Sequence, residues 1–82
     1  MFEIVLTQRA LKDFDGLSED VKNRIGVKLR DYSNDPLKFA RKLTNPKIGT
    51  YRFRVGDYRI IFDIEDNTIV ILRVGHRKEI YK

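Results

Sequence analysis

The sequence predicts an α+β fold: a small antiparallel β-sheet, built from an N-terminal strand and a three-stranded C-terminal meander, with two N-terminal α-helices packed on one face. Three observations carry this. Residues 50–80 fall into three apolar-alternating runs joined by two short turns. Two stretches before them hold apolar residues at helical spacing behind capping residues. The chain has 82 residues, 41% of them hydrophobic, enough for one core and one domain, 1–82.

Phe2-Glu3-Ile4-Val5-Leu6 alternates and is rich in β-formers, so it reads as the first strand. Thr7 is placed to cap a helix carrying Leu11 and Phe14, which Gly16 ends. Ser18 caps a second helix, with Glu19 and Asp20 in the first turn, where negative charge suits the helix dipole. Val21, Ile25, Leu29 and Tyr32 follow at spacings of four, four and three, a single apolar stripe. Asn34-Asp35-Pro36 stops that helix. Leu37, Phe39, Ala40 and Leu43 suggest a short helical turn, and Pro46 and Gly49 bound the loop before the meander.

In the meander, Gly56-Asp57 forms a two-residue hairpin turn with glycine supplying a positive φ. The register follows: Val55 faces Tyr58, Arg54 faces Arg59, Phe53 faces Ile60, Arg52 faces Ile61 and Tyr51 faces Phe62. The second turn, within Glu65-Asp66-Asn67-Thr68, allows a two- or a three-residue loop. A two-residue loop carries Arg73 into the core set, and burying an unpaired arginine is far costlier than a wider turn. A three-residue loop is therefore expected, with Val70, Leu72 and Val74 beside Ile64, Phe62 and Ile60, and the strands running Tyr51–Val55, Tyr58–Ile64 and Ile69–Val74. The opposite face then gathers Arg52, Arg54, Arg59, Arg73 and Arg77 together with Ile61, Asp63 and Ile71.

Lysine and arginine number 17 against 12 aspartates and glutamates, a formal net charge of +5, which favours an anionic partner, nucleic acid or acidic protein. With no cysteine there is no disulfide framework and no thiolate metal site, a usage that fits a reducing cytosol. No apolar run reaches the roughly 20 residues of a membrane span, and neither a signal peptide, a metal-ligand spacing nor a nucleotide fingerprint is present. A cytoplasmic protein without a membrane partner, metal or organic cofactor is expected. An arginine-bearing sheet face can be a merely solvated one, but mixed signs serve solubility better than five arginines. Arg54 opposite Arg59 is a like-charge pair that destabilises a strand pair by roughly 0.2–1 kcal/mol, and a purely structural hairpin has no use for it. His76, the only histidine, lies beside this cluster in sequence.

The order strand, helix pair, YRFRVGDYRIIFDIEDN and a closing LRVGHRKEIY resembles the RelE toxins of the RelE/ParE superfamily over nearly the whole chain, most specifically from Tyr51 to Tyr81. That resemblance implies a RelE-like fold and a toxin of a type II toxin–antitoxin system. Such a toxin enters the ribosomal A site, cuts mRNA there and is silenced by a RelB-like antitoxin. It also implies roles. The two basic positions of the first meander strand match Arg52 and Arg54, the arginine of the second matches Arg59, one after the last strand matches Arg77, and a near-terminal tyrosine matches Tyr81. Arg54, Arg59, Arg77, Tyr81 and His76 are the catalytic candidates; Arg52 and Arg73 are RNA-binding candidates. The best-known toxin has lysines where this chain has Arg52 and Arg54. A guanidinium is a good fork for phosphate oxygens but a poor base at neutral pH, so His76 is expected as the proton acceptor. The superfamily also offers a gyrase-inhibiting, ParE-like reading, and a catalytically degenerate binding module.

Overall fold

In the computed structural model, residues 1–44 and 48–81 are described; Pro46 lies outside them. The elements run β1 (Glu3–Leu6), α1 (Gln8–Asp15), α2 (Glu19–Tyr32), α3 (Pro36–Phe39), β2 (Arg41–Lys42), β3 (Tyr51–Val55), β4 (Tyr58–Glu65) and β5 (Thr68–His76). They form one five-stranded sheet in the order β1-β5-β4-β3-β2. The α+β architecture and the two capped helices are as the sequence predicts: Thr7 Oγ1 accepts from the Ala10 N–H and Ser18 Oγ from the Val21 N–H. The expected turn around Leu37 and Phe39 is α3.

Two points differ. The N-terminal strand is parallel, not antiparallel, to its neighbour, with Ile4 opposite Ile69 and Leu6 opposite Ile71. Between β1 and the meander the chain crosses the sheet through α1 and α2 and starts β3 on the far side. Three antiparallel strands then bring β5 back beside β1 pointing the same way. The chain also adds a two-residue edge strand, β2, with Arg41 opposite Arg52; two residues are too short for an alternation signal.

The first hairpin has the predicted register at all five pairs, and Gly56 takes φ +59. The second turn is the two-residue one: Glu65 pairs with Thr68, Ile64 with Ile69 and Phe62 with Ile71. The arginine argument against it fails because of a β-bulge. Leu72 is the extra residue between the pairs Phe62–Ile71 and Ile61–Arg73, and beyond it Ile60 faces Val74. A bulge shifts side-chain parity by one. Ile69, Ile71 and Val74 therefore all reach the core, while Arg73 stays out of it. Val70 and Leu72, expected inside, are only partly buried.

α1 and α2 cover one face, where Ala10, Ile25, Leu29, Phe53, Ile60 and Phe62 make the core with the β5 residues. Ile71 belongs to that core and not to the arginine face. Ile61 does point to the second face, yet it is fully buried. Gly49, at φ +152, lies directly on it, and a Cβ there would collide with Ile61 Cγ2 and crowd Leu72 Cδ1 at 3.1 Å. The second face is thus half covered by a loop, and its open part is the end that carries the arginines.

Candidate nucleic-acid interface

β3 and β4 alternate, so Arg52 and Arg54 of β3 and Arg59 of β4 leave the sheet on the face away from the helices. Arg54 and Arg59 are direct cross-strand neighbours. Arg59 is the buried one, 8% exposed. Its Nη1 donates to the carbonyls of Gly56 (2.9 Å) and Tyr58 (3.0 Å), which holds the guanidinium under the hairpin. Burial, and then the charges of Arg54 and Arg52, push its pKa below the ordinary arginine value, with Arg77 adding to the same effect and Tyr81 opposing it. Arg52, Arg54, Arg59, Arg77 and Tyr81 therefore share one electrostatic neighbourhood.

The C-terminal segment reaches it by folding back after β5. The N–H groups of Glu79 and Ile80 both donate to the His76 carbonyl. Ile80 is 3% exposed and packs on Gly75, opposite Arg59, where any larger side chain would meet it at ordinary contact distance. This brings Tyr81, 47% exposed, to the cluster, where its hydroxyl accepts from Arg52 Nη1 at 3.2 Å. Arg77 stands at the tip of the first hairpin; its N–H donates to the Asp57 carbonyl at 2.7 Å and its Nε lies 3.6 Å from the Asp57 carboxylate.

Two expected site residues do not line the recess of Arg52, Arg54 and Arg59: His76 lies on the other face, and Arg73, on the same face opposite Ile61, stands to one side of it. His76 pairs with Tyr58, whose ring packs with the core on the helix face. The two rings meet edge to face at 5.5 Å, and His76 Nδ1 accepts from the Lys78 N–H. Its imidazole is on the opposite side of the sheet from Arg59. Arg73 is held by α1: its Nε donates to Asp13 Oδ2 at 2.7 Å, and the same oxygen accepts from the Val74 N–H at 3.1 Å. That carboxylate serves the edge of β5 just past the last β1 pair, Leu6–Ile71. Burial alone would raise the Asp13 pKa, but the Arg73 and Val74 hydrogen bonds and the charges of Arg73 and Arg9 hold it below the usual value.

Two residues escaped the sequence. Phe39 and Arg41 line, with Arg52, Arg54 and Arg59, a recess of about 320 Å³. Phe39, 44% exposed, ends a file of stacked rings that continues into the core through Tyr32 and Phe53 to Phe62, at centroid spacings of 4.8, 4.8 and 4.2 Å. Tyr32 is tied to the β3 edge by its hydroxyl, which donates to the Arg54 carbonyl at 3.1 Å. The one cue to Arg41 was a basic pair just beyond an apolar turn. Four guanidiniums around one concavity, with an exposed ring at its rim, suit a phosphodiester flanked by bases: planar forks for the phosphate oxygens and a face for stacking. Among the described residues no group of three or more His, Cys, Asp or Glu is gathered to hold a metal ion. Among them, too, no helix is long and apolar enough to cross a membrane.

Comparison with known proteins gives a consistent picture. Residues 4–81 match the family described as the ParE toxin of the type II toxin–antitoxin system parDE. Toxin RelE3 of Methanocaldococcus jannaschii is 31% identical over 96% of this chain and 94% of its own length. Toxin RelG of Mycobacterium tuberculosis is 43% identical over 54 residues, which span 63% of this chain and 62% of RelG. Among solved structures, the toxin–antitoxin complex RelBE2 of Mycobacterium tuberculosis contains a chain that superposes with a TM-score of 0.83, at 32% identity, covering 93% of this chain and 98% of that one.

Proposed function

The chain belongs to the RelE/ParE superfamily as a RelE-family toxin of a type II toxin–antitoxin system, and from that premise we propose that it is a ribosome-dependent endoribonuclease that cuts mRNA in the A site. The observation that carries the reading is the recess in which Arg41, Arg52, Arg54 and Arg59 converge. In the proposed reaction the 2′-oxygen attacks the adjacent phosphorus and loses its proton, while the bond to the 5′-oxygen breaks and that oxygen gains one. The charge built up on the phosphoryl oxygens is met by Arg52, Arg54 and Arg59. Preorganised cations in a partly desolvated recess are worth orders of magnitude in rate. Arg77 faces the departing 5′-oxygen. Tyr81 orients a nucleotide by stacking and, with its hydroxyl on Arg52, is this chain's candidate to pass a proton; the ribosome completes the acid–base pair.

A RelB-like antitoxin is the proposed partner, since the similar RelBE2 chain is found in a toxin–antitoxin complex. Covering the arginine end or lifting the Arg77–Tyr81 turn would silence the site. A second reading, the ParE-like one in which the toxin inhibits gyrase, has one observation in its favour: the matching family description names the ParE toxin. Primer extension on translated mRNA after induction separates the two. Codon-phased cuts are expected, and growth arrest with intact mRNA would favour the gyrase reading.

A further inference from the structure

Arg77 stands just past the sheet, because the last pair between β4 and β5 is Tyr58–His76. Its side chain is 54% exposed, and an arginine so placed has wide rotamer freedom to lose. The neighbouring charges work against a fixed aim. Besides burial, the charges of Arg54, Arg52 and Arg77 hold the Arg59 pKa down, so Arg77 stands in a field of its own sign and is repelled by it. Asp57 opposes this from the tip of the first hairpin. Its carbonyl accepts from the Arg77 N–H at 2.7 Å, and its carboxylate lies 3.6 Å from Arg77 Nε. The first contact fixes where the side chain starts. The second draws the guanidinium by its Nε edge and leaves both Nη groups for an anion. The tip itself is braced from two sides. Arg59 Nη1 donates to the carbonyls of Gly56 and Tyr58, which flank Asp57, and Arg24 Nη2 of α2 lies 2.8 Å from where a Cβ on Gly56 would stand.

We propose that Asp57 is a positioning residue: it aims Arg77 at the bond being cut by holding the backbone and the Nε of that arginine on the braced hairpin tip. The proposal rests on the RNA-cleaving reading above, in which Arg77 meets the departing 5′-oxygen, and deepens it. In this role Asp57 touches no reacting atom and acts through Arg77. Both side chains are largely exposed, and an exposed ion pair adds little stability, so the carboxylate is not there to hold the fold. The turn does not require it either. Gly56 supplies the positive φ and Asp57 lies outside that region, so asparagine fits the same turn.

The test is single-turnover cleavage on programmed ribosomes over a range of toxin concentrations, which separates the limiting rate from the half-saturating concentration. Asp57→Asn should lower the limiting rate by about tenfold or more, with no rise in the half-saturating concentration and unchanged urea melts. Asp57→Glu, which keeps the carboxylate, should stay within about threefold of wild type. In an Arg77→Ala background, Asp57→Asn should change the rate by less than about twofold, because the two residues act as one unit. A second readout needs no RNA. The ¹⁵N–¹H signal of Arg77 Nε in the full chain, assigned by its loss in Arg77→Ala, should shift on Asp57→Asn, while that of Arg73 Nε, held by Asp13, stays in place. A wild-type limiting rate for Asp57→Asn, an equal loss for Asp57→Glu, a full further loss in the Arg77→Ala background, or an unmoved Arg77 Nε signal would overturn the proposal. A message left uncut by the wild type would instead remove the RNA-cleaving reading, and the Arg77 Nε signal would still decide whether Asp57 holds this arginine.

Discussion

Arg59 and Arg54 carry the same charge from opposite strands but are held differently, and substitution should separate them. Arg59 Nη1 bridges two backbone carbonyls while the rest of the fork faces the recess. A lysine cannot do both, so Arg59→Lys should slow cleavage by about 10²-fold or more. Arg54 is exposed and its role is charge, so Arg54→Lys should stay within about tenfold; single-turnover rates on programmed ribosomes measure both. Asp13 is the structural counterpart. Its depressed pKa means that the folded state favours the carboxylate, so its contribution is complete above about pH 3.8 and fades as pH falls towards the folded value. Asp13→Asn should lose about 1–3 kcal/mol near pH 7 in urea melts, and the gap to wild type should close below that range. A gap that stayed constant with pH would show that the ion pair with Arg73 is not the source. Strand alternation and the resemblance both singled out Arg52, Arg54 and Arg59; Arg77 came from the resemblance and from a strand assumed to run past Gly75, and Tyr81 from the resemblance alone. The sequence misplaced His76, whose ring meets Tyr58 on the helix face; Arg73 does lie on the arginine face, opposite Ile61, but its Nε is taken by Asp13, 60 residues away in sequence.

Of the elements, the first hairpin was readable to the residue because Gly56-Asp57 admits one register and the apolar residues pair through it. The second was not. Two-residue and three-residue loops each satisfied half of β5, and a bulge at Leu72 lets the strand use both parities; single-period reasoning has no term for that. The helix stripe was legible in part: Ile25 and Leu29 are buried and Val21 partly so. Leu29→Ala should cost about 2–5 kcal/mol, and a loss under about 0.5 kcal/mol in urea melts would place Leu29 outside the core. The loop over the second face hangs on Gly49, which combines a positive φ with contact against Ile61 and Leu72. Gly49→Ala should destabilise by about 1–3 kcal/mol, and should also expose Ile61, read as faster amide exchange in β4. Unchanged melting would mean that the loop accommodates the methyl by moving as a unit.

At the scale of the whole molecule, the sheet sorts the chain into two functions. The helix face gathers the core, and the far face, half roofed by the Gly49 loop, gathers cations at one end. The net charge of +5 on 82 residues was visible from composition, but its focusing was not. It depends on β2 bringing Arg41 beside Arg52 and on the C-terminal turn bringing Tyr81 to the same place. An RNA held by such a cluster should weaken steeply with added salt, with a slope of about −0.7 in log affinity per phosphate neutralised. The central claim is that this arginine recess, and nothing on the helix face, cleaves the RNA. It is tested most directly by single-turnover cleavage of A-site mRNA on programmed ribosomes, comparing wild type, Arg54→Ala and His76→Gln at matched folding. The account predicts a codon-phased cut by wild type, a rate lower by about 10²-fold or more for Arg54→Ala, and a rate within about threefold of wild type for His76→Gln. An uncut message, or a wild-type rate for Arg54→Ala, would contradict it.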